Sequence, residues 1–94
     1  MNPSKTVVLK LYVTGPTPRS ARAIVNVRAL CETHWPGAYD LVVVDLAQQP
    51  ALAARHQIIA APTLVRERPL PERRFIGDMS DSVRLRAGLD IAAA

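Results

Sequence analysis

Residues 11–25 read LYVTGPTPRSARAIV, and their reading decides the arrangement of the whole chain. The first three residues close a run in which apolar side chains alternate. From Arg19 onward apolar residues recur three and four positions apart instead, so the period changes from that of a strand to that of a helix. Gly15, Pro16 and Pro18 stop the strand. Thr17 or Ser20 can cap the helix, and a proline is tolerated in a first helical turn because its missing N–H would be unpaired there anyway. The stretch is therefore a strand-to-helix corner, with Thr14 and Thr17 on either side of Gly15-Pro16.

Working back from the corner, TVVLKLYV sets Val7, Leu9, Leu11 and Val13 on one face and Val8, Lys10 and Tyr12 on the other, a β pattern. Working forward, the helix from Arg19 to His34 gathers Ala23, Ile24, Val27, Leu30, Cys31 and His34 on one side. WPG ends it. YDLVVVD follows with an unbroken apolar centre, which predicts a parallel strand buried on both faces. The second half offers a short helix in QQPALAARHQ, a strand in PTLVRER, a turn in PLPE and a strand in RRFIG. A closing helix in SDSVRLRAGLDIA has Ser80 as its expected N-cap and Asp81 in its first turn.

The order βαβαββα, with two parallel strands joined to an antiparallel hairpin, is an α/β fold with a mixed sheet and has the thioredoxin-like topology. A thioredoxin carries Cys-Gly-Pro-Cys at such a corner; here Thr14 and Thr17 stand in the cysteine places. Ala61-Pro62-Thr63, before the third strand, takes the place of the cis-proline that faces a thioredoxin site. Exchange between thiols and disulfides needs a thiolate. The corner has none, and Cys31, on the apolar helix face, is expected to be buried, neutral and inert. No catalytic residue is assigned.

The 94 residues suit one domain, 1–94, and 49% of them are hydrophobic, which excludes a disordered chain. A single cysteine permits no internal disulfide, which fits a reducing, cytoplasmic setting. No apolar run approaches the ~18 residues of a membrane span, and no signal peptide is read at the start. Cys31, His34 and His56 are too few for a metal site, so no metal and no cofactor are expected.

Net charge is +4, and ten of the twelve basic residues are arginine, whose planar fork suits carboxylates and phosphates. Arg66, Arg68, Arg73 and Arg74 lie on two strands joined by a short turn and are expected to cluster; Arg22 projects from the first helix. A solvated basic face and a protein-binding patch are the two readings that the arginines leave open. A basic nucleic-acid-binding module is the alternative, although stacking aromatics are scarce, which argues against nucleic acid. Gly88 and Asp90 read as weak points of the closing helix, through glycine entropy and a charge opposed to the helix dipole. A close-packing or capping glycine is the other reading of Gly88.

The blocks LKLYVTGPTPRSARA, VVDLAQQPALA, IIAAPTL, RRFIGDMS and AGLDI, in that order and spacing, resemble the KaiB family of circadian-clock proteins. The resemblance runs from about Val8 to Ile91. It implies a non-catalytic adaptor for circadian timing or stress that binds KaiC, a ring-shaped ATPase. A KaiA-like protein or a clock histidine kinase are the further partners it suggests. It also implies two folds of one sequence. One is a thioredoxin-like monomer that binds the ATPase; the other is a dimeric or tetrameric ground state, βαββααβ, with residues 50–94 rearranged. Arg22, Arg73 and Arg74 match family positions that meet KaiC, and Arg66 replaces a family lysine. Pro62 matches the proline that isomerises between the folds, and Gly88 and Asp90 would bias that balance. A residual thioredoxin-like redox protein is the remaining alternative.

Overall fold

Alternation along the first strand, β1 (Val7–Val13), separates two apolar clusters on the two faces of the sheet. The computed structural model describes residues 6–91; Lys5 and the alanines at 92–94 lie outside that range. After β1 come α1 (Pro18–His34), β2 (Tyr39–Asp45), α2 (Ala51–Arg55), β3 (Thr63–Arg68), β4 (Arg73–Ile76) and α3 (Ser82–Gly88). The strand order is β2-β1-β3-β4. β1 runs parallel to β2 and antiparallel to β3, and β3 and β4 form the antiparallel hairpin. The βαβαββα order and the mixed sheet are those read from the sequence.

Val7, Leu9, Leu11 and Val13 point into the larger cluster, where they meet Ala23, Val27, Leu30 and Cys31 of α1. Leu64, Phe75, Leu85 and Leu89 complete that layer. Tyr12 points the other way, into a small cluster with Leu46, Ile58 and Val65 beneath α2. α1 starts where the prolines and threonines dictate: Thr17 is extended, and its Oγ1 accepts the Ser20 N–H at 3.1 Å. Of the two candidate caps, Thr17 is the one used. Ser20 is instead buried, its Oγ accepting from Thr17 Oγ1 at 2.9 Å.

Two local expectations are corrected. β2 is an edge strand with Val42 exposed, because the sheet ends there and, among the described residues, no strand pairs with its outer edge. Its apolar run thus fills one face and leaves the other half open. The N-cap of α3 is Asp81 and not Ser80: the Asp81 carboxylate accepts from Arg84 N at 3.0 Å. Ser80 belongs to the preceding turn, where its N–H donates to Asp78 Oδ1 at 3.1 Å. A carboxylate is the stronger acceptor and suits the positive end of the helix.

Candidate functional site

The ends of all four strands meet on one side of the molecule. The register pairs Val13 with Asp45, Tyr12 with Thr63, and Thr63 with Ile76, so the 14–17 corner shares this end with residues 57–63 and 76–78. Gly15 takes a positive φ of 67°, which a side chain would disfavour, and its N–H donates to Asp45 Oδ1 at 2.9 Å. The same oxygen accepts from Ala47 N at 2.9 Å. Asp45 therefore locks the corner to the end of β2. Hydrogen bonds help to hold the corner's shape, with hydroxyl-bearing Thr14 and Thr17 where redox chemistry needs sulfur.

Ala61–Pro62 is a cis peptide bond, as are Arg68–Pro69 and Leu70–Pro71. The Pro62 carbonyl accepts from Gly77 N at 3.0 Å, tying the residue before β3 to the residue after β4. Just upstream, Ile58 is buried while Ile59 is 90% exposed. Beside them a cavity of about 110 Å³ is lined by Gln57, Ile58, Ile59, Thr63, Arg74 and Ile76.

The arginines singled out in the sequence do not form one cluster. Alternation along the hairpin sends Arg66 and Arg73 to the α3 face and Arg74 to the α2 face. Arg74 Nη1 and Nη2 donate to the carbonyls of Gln57 and His56, each at 2.9 Å, and its Nε lies 3.0 Å from Glu72 Oε1. Arg73 is exposed. Arg22, on the surface of α1, lies 3.4 Å from Asp78 Oδ2. Arg68 is exposed at the far end of β3, and Pro69 begins the turn to β4.

Arg66 departs furthest from the expectation of a surface cluster. It is buried, and its Nη1 donates to Leu89 O at 3.1 Å and to Asp90 Oδ2 at 3.2 Å. Its Nη2 donates to Pro71 O at 2.9 Å. In this form its guanidinium serves the interior. That changes the meaning of the two weak points. Asp90 lies beyond the helix end, and the charge expected to oppose the helix dipole is met by Arg66. Gly88 leaves room for the Phe75 ring, since a Cβ there would stand 2.6 Å from Phe75 Cζ. The close-packing reading of Gly88 is the one this fold supports.

Cys31 is fully buried, and burial pushes its thiol up to about 11, with the neighbouring Glu32 carboxylate adding to the rise. Alkylation of native protein at pH 8 is expected to be negligible and to become rapid in denaturant. The folded thiol holds its proton more tightly than the ordinary 9.0, so stability is expected to fall as pH climbs from about 9 toward 11. Rapid labelling of the native state would show that the thiol is accessible and ionised, contrary to its burial.

Sequence reasoning passed over Asp45 as a corner lock and Ile59 as an exposed apolar residue. The signal for Ile59 was the pair Ile58-Ile59 outside any periodic segment, where one side chain turns in and the other out.

Residues 10–91 match the KaiB domain family. The chain belongs to the KaiB family. A KaiB named circadian clock oscillator protein, from Synechococcus sp. strain RCC307, is 50% identical over 97% of this chain and 83% of its own length. The KaiB of Synechococcus elongatus strain PCC 7942, which carries the same name, is 46% identical over 97% of this chain and 89% of its own. Among solved structures the fold resembles the N-terminal domain of Synechococcus elongatus SasA, with a TM-score of 0.73 and 22% identity. That match covers 96% of this chain and 89% of that domain. The fly thioredoxin Deadhead gives a TM-score of 0.73 at 14% identity, covering 97% of this chain and 85% of its own. This KaiB-family chain thus has the thioredoxin-like fold.

Proposed function

We propose that this chain is a circadian-clock or timing adaptor that works by presenting a surface and catalyses no reaction. Its partner is a KaiC-like ring ATPase, bound by the thioredoxin-like form in the cytoplasm. The observation that carries the reading is the KaiB match over residues 10–91, to relatives named circadian clock oscillator proteins. The corner agrees with it: the loop geometry is kept by Asp45 and Thr17 while no sulfur is retained. Among the described residues no helix is long and apolar enough to cross a membrane.

Arg22, Arg73 and Arg74 supply the positive charge for an acidic partner surface, with Arg66 supporting them from within. A KaiA-like protein or a clock histidine kinase would share the partner set. Residues 50–94, with Pro62, Gly88 and Asp90, form the portion that rearranges between this monomer and a dimeric or tetrameric ground state. Binding is then conformational selection, with apparent affinity reduced by the fraction of competent chains.

The test is fluorescence anisotropy of labelled protein against a KaiC-like ATPase and against duplex DNA. Saturable binding to the ATPase is expected, with Arg73→Ala weakening it by on the order of tenfold, chiefly through the association rate. Binding to DNA alone, with steep salt dependence, would replace this reading with the nucleic-acid alternative.

A further inference from the structure

We infer that Ile59 is the apolar anchor by which this chain seats in its partner, and that Arg74 is a positioning residue holding the loop that presents it. This rests on the adaptor reading above and names the contact that reading leaves open. The occupant of the surface is a folded partner offering an apolar pocket with a carboxylate rim.

An isoleucine that is 90% exposed loses the burial it would gain elsewhere, and isolated cases are ordinary. This one is held outward by a built loop. Ile58, its neighbour, is pinned into the small cluster, and Ile58 N donates to Ala53 O at 2.8 Å. Gln57 adopts a positive φ of 57°, which turns the chain out of α2. Arg74 reaches across from β4 and grips the carbonyls of both His56 and Gln57. Thr63 Oγ1 donates to Ala60 O at 2.5 Å on the far side of the loop. The segment from 56 to 63 is therefore held by bonds on both sides of Ile59, which is its one large apolar side chain left exposed; Gln57 and Ala60 are exposed beside it.

A large apolar side chain on a preorganised loop is what an interface anchor requires, because the ordering cost has been met before the partner arrives. Ile76, 49% exposed, lines the cavity beside it and extends the apolar contact. Basic groups flank it, while Asp78 at the same end of the sheet is paired with Arg22. Arg74 lines the same cavity, Arg55 ends α2, and Arg19 Nη2 comes within 3.8 Å of the space above Gly77. No carboxylate lines the cavity, although Glu72 pairs with Arg74 outside it. Apolar centre and basic rim together select a partner pocket of the opposite rim charge.

Arg74 thereby changes role from the one its exposure suggests. Two of its guanidinium nitrogens already donate to the loop backbone, so its main effect on binding passes through Ile59. A lysine at 74 carries the same charge but has one compact ammonium and cannot hold the two carbonyls as a fork does.

The experiment uses purified chain, a KaiC-like ATPase as the probe, anisotropy titration, and hydrogen exchange across residues 57–61. Ile59→Asp is expected to weaken binding at least about thirtyfold, the level of a hot spot, while Ile59→Val stays within a few-fold. Circular dichroism of Ile59→Asp should match wild type, because the side chain is 90% exposed and contributes little to the packing. Arg74→Lys is expected to speed exchange at Ile58 and weaken binding with the salt dependence retained. Wild-type affinity in Ile59→Asp overturns the anchor and leaves the adaptor reading standing. Unchanged exchange in Arg74→Lys overturns the positioning role. Failure of the wild-type chain to bind the ATPase removes the adaptor reading and the anchor with it. Self-association of free wild type that Ile59→Asp abolishes would assign the surface to a second copy and overturn the proposed partner.

Discussion

An Arg66→Met variant is expected to lose about 1–3 kcal/mol of folding stability, because the buried Leu89 carbonyl loses its donor, the part-buried Pro71 carbonyl loses another, and an unsatisfied buried group costs about 1–3 kcal/mol. Methionine keeps much of the length of the arginine stem, so the loss falls on hydrogen bonding more than on packing. The acceptors are unequal. Asp90 is 64% exposed and returns to water at small cost, Pro71 O is part-buried, and Leu89 O is the acceptor in a buried bond. One term opposes the loss: Arg66 Nε is buried without a partner among the described residues, and its removal relieves that defect. The balance still favours arginine, with three donations against one orphan. Against a total of about 5–14 kcal/mol for a chain of this size, the change is large. Urea unfolding measures it, and hydrogen exchange locates it. Leu89 N, which donates to Leu85 O at the end of α3, should exchange much faster while β1 and β2 change only with global stability. Arg66→Lys should fall between, since one ammonium cannot reach all three acceptors. A Met variant within about 0.5 kcal/mol of wild type would mean that water serves these carbonyls as well as Arg66 does.

The sequence disclosed the frame of the molecule and concealed the use of its charges. β1, α1 and the corner were legible because each has a period or a stop signal that packing reinforces: Leu9 and Leu11 alternate inward, Ala23 and Val27 recur inward, and Gly15 needs its positive φ. The second half was legible as element order for the same reason. β2 was misread because a run of Leu-Val-Val-Val records only that a strand is apolar, and whether a neighbour covers it is set by strand order. The arginines were harder still. Arg66 and Arg74 are identical residues on adjacent strands, and only the register sends one under α3 and the other over the 56–57 carbonyls. A long side chain can bury its head only where backbone acceptors from distant segments converge. Leu89, Pro71, His56 and Gln57 converge through topology and not through any local pattern. Gly88 and Asp90 show the same limit, since helix propensity counts both as defects while Phe75 and Arg66 give each a tertiary partner.

The second large effect is expected from Leu11→Ala, with a loss of about 2–5 kcal/mol from lost transfer energy and the cavity left behind. Leu11 is fully buried at the centre of the sheet, with Val43 of β2 beside it on one side and Leu64 of β3 on the other. α1 roofs this layer with Ala23 and Val27, whose side chains are too short to fill the space left by a missing isobutyl group. Paired backbone on both sides of β1 keeps the strand from collapsing inward, which places the cost toward the upper end of the range. Ile58→Ala, in the small cluster under α2, is expected to lie near the lower end because that cluster borders solvent and α2 can settle. The comparison by urea denaturation separates the two layers. Leu11 should shift the midpoint for every probe, whereas Ile58 should chiefly loosen α2 and the loop that follows it. If the two substitutions cost the same, the layer beneath α2 is as firmly built as the main core. The loop carrying Ile59 would then owe its rigidity to Ile58 more than to the grip of Arg74.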